Sequence, residues 1–325
     1  MRRVLWLMSA IVLVFSMTAA GAPKAEKPSW QDELPPKTEV ADFLQEISLN
    51  VKSGSSEGSG IVVTRELKDD DEKPVTVCFV WTAAHVVDDL RTVETVVETR
   101  SGTDRKRVRF KDAQIVTELL QDGRRVGELK MDAQIVCFGE DVDLALLRIR
   151  KTNFIEKSAV FYLDEEILPV GTDLYHVGSM AGQKLGANSM TSGILSAVGR
   201  VFDGQEMDQT EVTAVPGSSG GGVFTRNGAC IGLITRGVNY GDSFNYLVPV
   251  RSMRKWANKM GVGFAIDSSI DSPTEAELKK IPIEDPGADF GGDDNASLVE
   301  LPYLIRRVQE TRVILPHPLD TKESQ

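Results

Sequence analysis

The chain has 325 residues, enough for one large domain or two ordinary ones, and 41% of its residues are hydrophobic while 26% are charged. This composition is typical of a globular protein and excludes a fibre, a repeat array and a multi-pass membrane protein. The formal net charge of −11 argues against a general affinity for nucleic acid, since phosphate binding requires a basic surface.

The N-terminal residues have the pattern of an export signal. Arg2 and Arg3 precede an apolar run, and small residues follow up to Ala22. An uncleaved membrane anchor is the alternative, but the stretch Val4 to Ala20 has only 17 residues, at the lower limit for spanning a bilayer. We therefore predict a signal peptide over residues 1–22 and an exported protein (periplasmic, cell-envelope or secreted), with membrane contact only if the segment is retained.

Residues 23–46 are predicted to form a linker, because the part up to Thr38 contains four prolines and little apolar material. A short stretch from Glu39 to Ile47 has helical character and leads into the domain. The main domain is predicted over residues 47–264.

The main domain consists largely of short β-type runs separated by turn residues, which predicts an all-β barrel or sandwich. The runs are Ser59–Thr64, Val75–Thr82, Thr92–Glu98, Ile115–Leu120, Glu128–Val136, Leu144–Ile149, Asp173–Val177, Ser192–Ala197, Ala229–Thr235 and Asn245–Val250. Residues 111–136 are predicted to form one long hairpin, with Asp122-Gly123 near its tip.

A helix is predicted to close this domain over Val250–Met260. Its apolar residues share one face, and Gly261 is the predicted stop. Residues 265–325 carry 13 acidic and 6 basic side chains, and the segment from Glu284 to Asn295 is too polar to order itself. We predict an acidic, largely disordered tail over 265–325.

The three cysteines, Cys78, Cys137 and Cys230, each lie in an apolar, strand-like stretch. Three is too few for a disulfide framework, and none has an electropositive setting. They are predicted to be small buried hydrophobic residues.

Three motifs carry candidate chemistry, in the order histidine, aspartate, serine. They are Trp81-Thr82-Ala83-Ala84-His85, Asp143-Leu144-Ala145-Leu146-Leu147, and Pro216-Gly217-Ser218-Ser219-Gly220-Gly221-Gly222. Serine is a weak nucleophile unless a base lies within hydrogen-bond reach, and that base needs an acceptor to fix its tautomer. Glycines around a serine also allow two backbone amides to point at one spot, here those of Gly217 and Ser219.

These motifs resemble the trypsin/chymotrypsin superfamily, and more closely its HtrA/Deg-type bacterial branch. Supporting stretches are Gly58-Ser59-Gly60-Ile61-Val62-Val63, Thr191 to Arg200, and Gln209-Thr210-Glu211. The resemblance covers about residues 47–260 and implies an all-β, chymotrypsin-like double six-stranded β-barrel with a C-terminal helix. The chain departs from this branch at Ser218, where asparagine is usual. It also has only 65 residues after Met260, fewer than the nearly one hundred of the PDZ domain that usually follows the protease in this branch, so we expect no PDZ domain.

The resemblance assigns His85 as base, Asp143 as orienting acid and Ser219 as nucleophile. Alternatives are Ser218 for the nucleophile and Asp141 for the acid, since Asp141 lies two residues earlier on the same strand face. The other histidines, His176 and His317, are predicted to be a paired structural residue and a tail residue.

Substrate contacts follow from the resemblance alone. Thr213 is expected near the base of the primary specificity pocket, Phe244 narrows it, and Thr235-Arg236-Gly237 pairs with the substrate backbone as an added strand. Because Thr213 is not acidic, we expect small or medium apolar side chains on the acyl side of the cut.

The predicted function is that of an exported serine endopeptidase, which acts on a protein or peptide substrate through an acyl-enzyme and needs no metal or organic cofactor. The alternative is a catalytically silent barrel that serves as a protein-binding module. The sequence leaves the oligomeric state open.

Overall fold

The computed structural model describes residues 37–68, 73–97, 104–121, 124–180, 186–202, 204–240 and 242–284. The predicted signal peptide, most of the predicted linker and the C-terminal segment from 285 onward lie outside these ranges. Among the described residues, none of the helices has the length and apolar character needed to cross a bilayer.

A first barrel contains β1 (Ser48–Ser53), β2 (Ser56–Lys68), β3 (Pro74–Thr82), β6 (Ala113–Gln121), β7 (Arg124–Gly139) and β8 (Leu144–Ile149). These six strands close in the order β1-β2-β3-β8-β7-β6. The strands β6 and β7 pair up to Gln121 opposite Arg124, so the predicted long hairpin is confirmed. Between β3 and β6, the strands β4 (Arg91–Val97) and β5 (Asp104–Phe110) form a separate two-stranded sheet.

A second sheet contains β9 (Val160–Phe161), β10 (Asp173–Met180), β11 (Gly186–Phe202), β12 (Gln205–Thr210), β13 (Gly222–Thr225), β14 (Ala229–Tyr240) and β15 (Asp242–Pro249). Its order is β13-β10-β11-β12-β15-β14-β9, and β13 also pairs with β14. The pairings of β10 to β15 therefore return on themselves and close a second ring of six strands. The strand β9 adds to β14 in parallel. The predicted double six-stranded barrel is confirmed.

The apolar sequence of β3 shows how the barrels pack. Side chains alternate between the two faces of a strand. Val77, Phe79 and Trp81 face a large apolar cluster that includes residues of both barrels, whereas Cys78 and Val80 face the interior of the first barrel. A third apolar cluster fills the second barrel. Both faces of β3 are thus buried, which explains its unbroken apolar run.

The helices are α1 (Lys37–Glu46), α2 (Ala84–Val87), α3 (Val250–Met260) and α4 (Glu275–Leu278). The predicted closing helix is confirmed as α3. Its face of Met253, Trp256, Ala257 and Met260 is buried. Gly261 ends it in the left-handed region at φ 76°, a conformation that favours glycine.

The predicted start of the disordered tail at residue 265 is too early. The Trp81 indole donates to the carbonyl of Ala265 (2.9 Å), and Ile266 and Leu278 are buried. Further along, the amide of Phe138 donates to Ile283 (2.6 Å). The packed domain therefore continues to at least residue 284. Its few apolar side chains, among them Ile266 and Leu278, pack against the cluster shared by the barrels, and an average over the composition of the segment does not reveal them.

The predicted linker also extends too far. The predicted helix at its end is observed as α1, and its Val40 and Leu44 pack into the cluster shared by the barrels. Gln45 donates to the carbonyl of Asn188 in β11 (3.0 Å). The helix α1 is therefore part of the domain.

The three cysteines are free and buried, as predicted. Burial raises the pKa of the Cys137 thiol, and it raises the pKa of the Cys230 thiol to about 12. Both remain protonated at neutral pH and act as small hydrophobic residues.

Candidate active site

His85 is the second residue of α2, the single turn that follows β3. The chain leaves β3 at Thr82, and Ala83 has an extended backbone (φ −75°, ψ 142°) before the helix begins. The neighbouring Ala84 and Val86 are buried, whereas the side chain of His85 is 48% exposed. The apolar neighbours thus hold the turn while the imidazole remains accessible.

Asp143 lies in the tight turn between β7 and β8, at the mouth of β8. Its backbone has φ 51°, in the left-handed region that aspartate tolerates better than most residues. Its carboxylate accepts from the His85 backbone amide (3.0 Å) and lies 2.9 Å from His85 Nδ1. The carboxylate occupies Nδ1, so Nε2 is the nitrogen left for other chemistry.

The alternative acid Asp141 is exposed, whereas Asp143 is only 8% exposed. The turn holding Asp143 is further fixed from the second barrel, because Gln205 donates to the carbonyl of Val142 (2.6 Å). Gly139, at the end of β7, packs so closely on Trp256 that a Cβ there would lie 2.7 Å from the indole.

The serine motif forms a loop before β13, which we call the glycine loop (Val215–Gly221). Gly217 and Gly220 both have positive φ, 99° and 83°. The amides at positions 218, 220 and 221 donate to carbonyls at 2.7–2.9 Å. Within the described residues, the amides of Gly217 and Ser219 donate to no protein group. The two amides predicted to form an oxyanion site are therefore those without an internal partner.

The two serines of the glycine loop differ in accessibility. Ser218 is 1% exposed, and its hydroxyl accepts from the Val215 amide (3.2 Å) and lies 3.4 Å from the carbonyl of Ser179. Ser219 is only partly buried. Ser218 thus holds the loop, whereas Ser219 is the more accessible of the two serines.

Two glycines allow the glycine loop to approach the histidine-bearing turn. A Cβ at Gly58 in β2 would lie 2.5 Å from Val86 and 2.9 Å from the carbonyl oxygen of Ser219. A Cβ at Gly220 would lie 2.3 Å from both the Ser59 carbonyl oxygen and the Thr82 hydroxyl. The loop of the second barrel therefore lies directly against β2 and the end of β3, beside the turn that carries His85.

The predicted substrate contacts divide into exposed and buried residues. Thr213 is exposed, and its carbonyl accepts from the Thr191 hydroxyl (2.9 Å). Phe244 in β15 is 38% exposed. Arg236 and Gly237 are exposed in β14, whereas Thr235 lies at a bulge between the pairs of Ile234 and Arg236 and is buried.

His176 lies in β10 and is fully buried, as expected for a structural residue. Its Nδ1 bonds to the carbonyl of Gly222 (2.9 Å), but Nε2 has no partner among the described residues. Desolvation lowers the pKa of His176 to about 4. It packs under the glycine loop, since a Cβ at Gly221 would lie 2.7 Å from its ring. His317 lies outside the described residues.

Sequence reasoning quoted Gly58-Ser59-Gly60 only as part of a resemblance and assigned it no role. The structure places Gly58 and Ser59 in direct contact with the glycine loop. Gln205 was also missed, because no local pattern marks a side chain that reaches a turn 63 residues away. For Gly58 and Ser59 a signal was available, since glycines within a strand often mark close backbone approach.

Comparison with known proteins gives one family model, described as trypsin-like peptidase domain, which matches residues 58–233. The chain is 32% identical over 162 residues to the periplasmic pH-dependent serine endoprotease DegQ of Escherichia coli, covering 49% of this chain and 30% of that protein. It is 31% identical over 163 residues to the periplasmic serine endoprotease DegP of Salmonella typhimurium, covering 49% and 29%. The chain thus matches about three-tenths of the length of these curated relatives.

Solved structures similar to this one include the serine endoprotease from Yersinia pestis, with a TM-score of 0.48 at 20% identity over 70% of this chain and 67% of that one. Deg5 has a TM-score of 0.47 at 20% identity, covering 67% and 90%. The family match spans more than half of the chain and includes all three motifs, and the relatives confirm the predicted HtrA/Deg-type resemblance. The chain belongs to the family of trypsin-like peptidase domains.

Proposed function

We propose that the chain is an exported serine endopeptidase in which Ser219 is the nucleophile, His85 the general base and Asp143 the residue that orients the base. One observation carries the proposal. An accessible histidine bonded to a buried aspartate (2.9 Å) lies beside the glycine loop, in which Ser219 is partly exposed and the amides of Gly217 and Ser219 donate to no protein group within the described residues. Serine hydrolysis needs these groups, and their proximity supports the proposal.

In the first step, the Ser219 hydroxyl attacks the carbonyl carbon of the scissile peptide bond while His85 Nε2 removes the hydroxyl proton. The imidazolium that forms is stabilised by the carboxylate of Asp143, which accepts the hydrogen bond from Nδ1. His85 then protonates the leaving amine, and the C–N bond breaks to give an acyl-enzyme. Water activated by the same histidine hydrolyses the ester and restores Ser219.

The negative charge on the tetrahedral oxygen requires donors that are already in place. The amides of Gly217 and Ser219 are proposed for this role, because one belongs to the nucleophile itself, the other lies two residues before it, and neither donates to a protein group within the described residues. Removal of a single donor of this kind costs about 10²–10³ in kcat in enzymes of this type. The shape of the glycine loop is therefore as important as the identity of Ser219.

The substrate backbone is proposed to pair with β14. From Thr235 onward, the pairings of β14 among the described residues are with β15 alone. The preceding residue Ile234 bonds in both directions with the glycine loop, through Gly220 (2.7 Å) and Gly221 (2.9 Å). An extended peptide added at positions 235–237 would thus run past Ser219.

Specificity is proposed to favour small or medium apolar side chains on the acyl side of the cut. Thr213 carries no charge that would attract lysine or arginine, and the exposed ring of Phe244 narrows the approach. Export is proposed from the basic and apolar pattern of residues 1–22, and both relatives above are named as periplasmic.

The test is covalent labelling of the purified protein with a fluorophosphonate, which reacts with activated serines, combined with cleavage of casein and of a peptide library. We expect labelling and cleavage by the wild-type protein, and neither by Ser219→Ala. Ser218→Ala distinguishes the two serines, because it is expected to label still, at a reduced rate.

A wild-type protein that neither labels nor cleaves would contradict the proposal and favour the silent, protein-binding barrel. Loss of labelling in Ser218→Ala but not in Ser219→Ala would move the nucleophile by one residue. Cleavage mainly after lysine or arginine would contradict only the proposed specificity.

A further inference from the structure

Ser59 in β2 is only 1% exposed and makes four hydrogen bonds, two of which connect the first barrel to the glycine loop. Its amide donates to the carbonyl of Ser219 (2.8 Å), and its hydroxyl donates to the carbonyl of Gly217 (2.7 Å). The same hydroxyl accepts from the Ser179 amide (2.8 Å), and the Ser59 carbonyl accepts from the Thr82 hydroxyl (2.7 Å). One small residue therefore holds two carbonyls of the loop and is itself held from two strands.

The two carbonyls that Ser59 holds belong to Gly217 and Ser219, the same residues whose amides donate to no protein group among the residues that the structure describes. The hydroxyl of Ser59 fixes the carbonyl end of the peptide that joins Gly217 to Ser218, and the amide end of that peptide donates to Val215 (2.8 Å). Gly217 has φ 99° and, as a glycine, has low barriers to other conformations. The hydrogen bond from the Ser59 hydroxyl therefore restricts the conformation of Gly217, which the glycine backbone alone leaves free to change.

We propose that Ser59 is a positioning residue of the oxyanion site: its hydroxyl holds the glycine loop in the shape that leaves the amides of Gly217 and Ser219 free to face the substrate. This inference rests on the proposed peptidase function and adds a role for a residue outside the three motifs. Ser59 does not touch the reacting atoms, and it acts through the loop.

The hydroxyl is the informative group. Alanine at position 59 would keep the backbone bond to Ser219 but remove the hydroxyl that bonds to the carbonyl of Gly217. A buried polar group without a partner drives local rearrangement. The peptide that joins Gly217 to Ser218 is the part of the loop best able to rotate. Loss of the Ser59 hydroxyl would therefore disorder the amides of Gly217 and Ser219 rather than the substrate-binding edge of β14.

The experiment compares Ser59→Ala with Thr64→Val as a matched control. Thr64 lies on the same strand, and its hydroxyl also donates to backbone carbonyls, those of Ile155 and Lys157 (both 3.0 Å), away from the glycine loop. On a peptide substrate we expect Ser59→Ala to lower kcat by about 10- to 100-fold with KM changed less than about threefold. Thr64→Val is expected to keep kcat within about twofold.

The affinity for a peptide boronate, which mimics the tetrahedral intermediate, distinguishes loss of the oxyanion donors from a general loosening of the active site. The boronate affinity should fall in Ser59→Ala by the same factor as kcat/KM, whereas the affinity for the product peptide should stay within about threefold. Ser59→Thr restores a hydroxyl and is expected to recover most of kcat. If Ser59→Ala does not fold, Ser59→Cys, a weaker donor of similar shape, takes its place with the same expectations.

Equal kinetics in Ser59→Ala and Thr64→Val would overturn the inference, as would parallel losses of boronate and product affinity. A folded Ser59→Thr protein as slow as Ser59→Ala would also overturn it. These results are distinct from failure of the proposed function, which would appear as an inactive wild-type protein or as an active Ser219→Ala variant.

Discussion

The first barrel contributes side chains to the candidate site, whereas the second barrel contributes mainly backbone. In the first, the His85 imidazole and the Asp143 carboxylate are joined by contacts of 2.9–3.0 Å. In the second, the glycine loop depends on positive φ at Gly217 and Gly220 and on two amides that donate to no group within the described part of the chain. The two halves of the site are therefore sensitive to different kinds of change.

A side chain that projects from a firm scaffold can lose its function without loss of the fold. A backbone shape that needs glycine cannot be altered without disturbing what packs against it. Substitutions at the site are thus expected to lower activity without loss of stability in the first barrel, and to lower activity and stability together in the second. Three experiments test this comparison.

The largest effect is expected from Asp143→Asn, which keeps the size of the side chain but removes the charge that orients His85. We expect kcat to fall by about 10³–10⁴-fold, because an amide can hold the wrong tautomer of the histidine. The melting temperature should change by only a few degrees. Steady-state kinetics and thermal unfolding measure the two quantities.

Asp141→Asn is the matched control, since Asp141 is exposed two residues away. Its kcat should stay within about twofold of the wild-type value. Comparable losses in both variants would mean that position 143 has no special role. An unfolded Asp143→Asn protein would break the comparison between the barrels.

An intermediate effect, on both stability and activity, is expected from Gly220→Ala. Its φ of 83° disfavours any Cβ, and the added atom would lie 2.3 Å from the carbonyl oxygen of Ser59, which cannot move freely. We expect a loss of about 3–5 kcal/mol in the free energy of unfolding from backbone strain and overpacking. Activity should fall at least about 100-fold.

Gly171→Ala separates strain from overpacking. Gly171 has φ 91°, but nothing lies within 4 Å of the position of its Cβ. This variant should lose only about 1–2 kcal/mol and keep its activity. Chemical denaturation of the two variants measures the difference, and equal losses would contradict the packing argument.

The third experiment concerns His176, the buried histidine beneath the glycine loop. Its pKa is lowered from 6.5 to about 4 by desolvation, so the unfolded chain binds a proton at pH values where the folded protein does not. The stability from this group is complete above pH 6.5 and falls as the pH drops towards 4, by up to about 3 kcal/mol. Urea denaturation between pH 7.5 and 4.5 measures this slope.

His176→Gln removes the titrating group. The difference in stability between wild type and variant should therefore shrink as the pH falls from 6.5 to 4. A difference that stays constant over this range would show that His176 does not resist protonation. At pH 7 His176 is neutral in the folded wild-type protein. A change in kcat of His176→Gln at this pH would therefore reflect the packing of the glycine loop and not the charge of the histidine.

The local patterns of the sequence predicted the strands whose apolar residues are continuous or alternate. All ten predicted runs overlap observed strands, as Val75–Thr82 does with β3. Five strands were not predicted, namely β1, β5, β9, β12 and β13. The shortest, β9 and β13, have two and four residues, which is too few for a periodic signal, and both pair with β14.

The extent of the domain was predicted less well than its centre. Residues 265–284 were assigned to a disordered tail from their acidic composition, yet Thr274 and Glu277 form a capping box that starts α4. That Thr-x-x-Glu pattern is readable in the sequence. An average over 61 residues concealed this pattern. The helix α4 is also stabilised by the packing of Leu278 against residues from other segments, which a local pattern does not show.

The sequence by itself determined the chemical groups and their order along the chain, because a histidine, an acid and a serine among glycines have few alternative uses in that arrangement. Tertiary structure decided which of two aspartates is buried against His85, which of two serines is accessible, and which amides of the glycine loop have no partner among the described residues. It also revealed Ser59 as a link between the barrels. These choices depend on contacts between residues far apart in the chain, from 39 positions for Ser218 and Ser179 to 160 for Ser59 and Ser219, and no local pattern encodes such contacts.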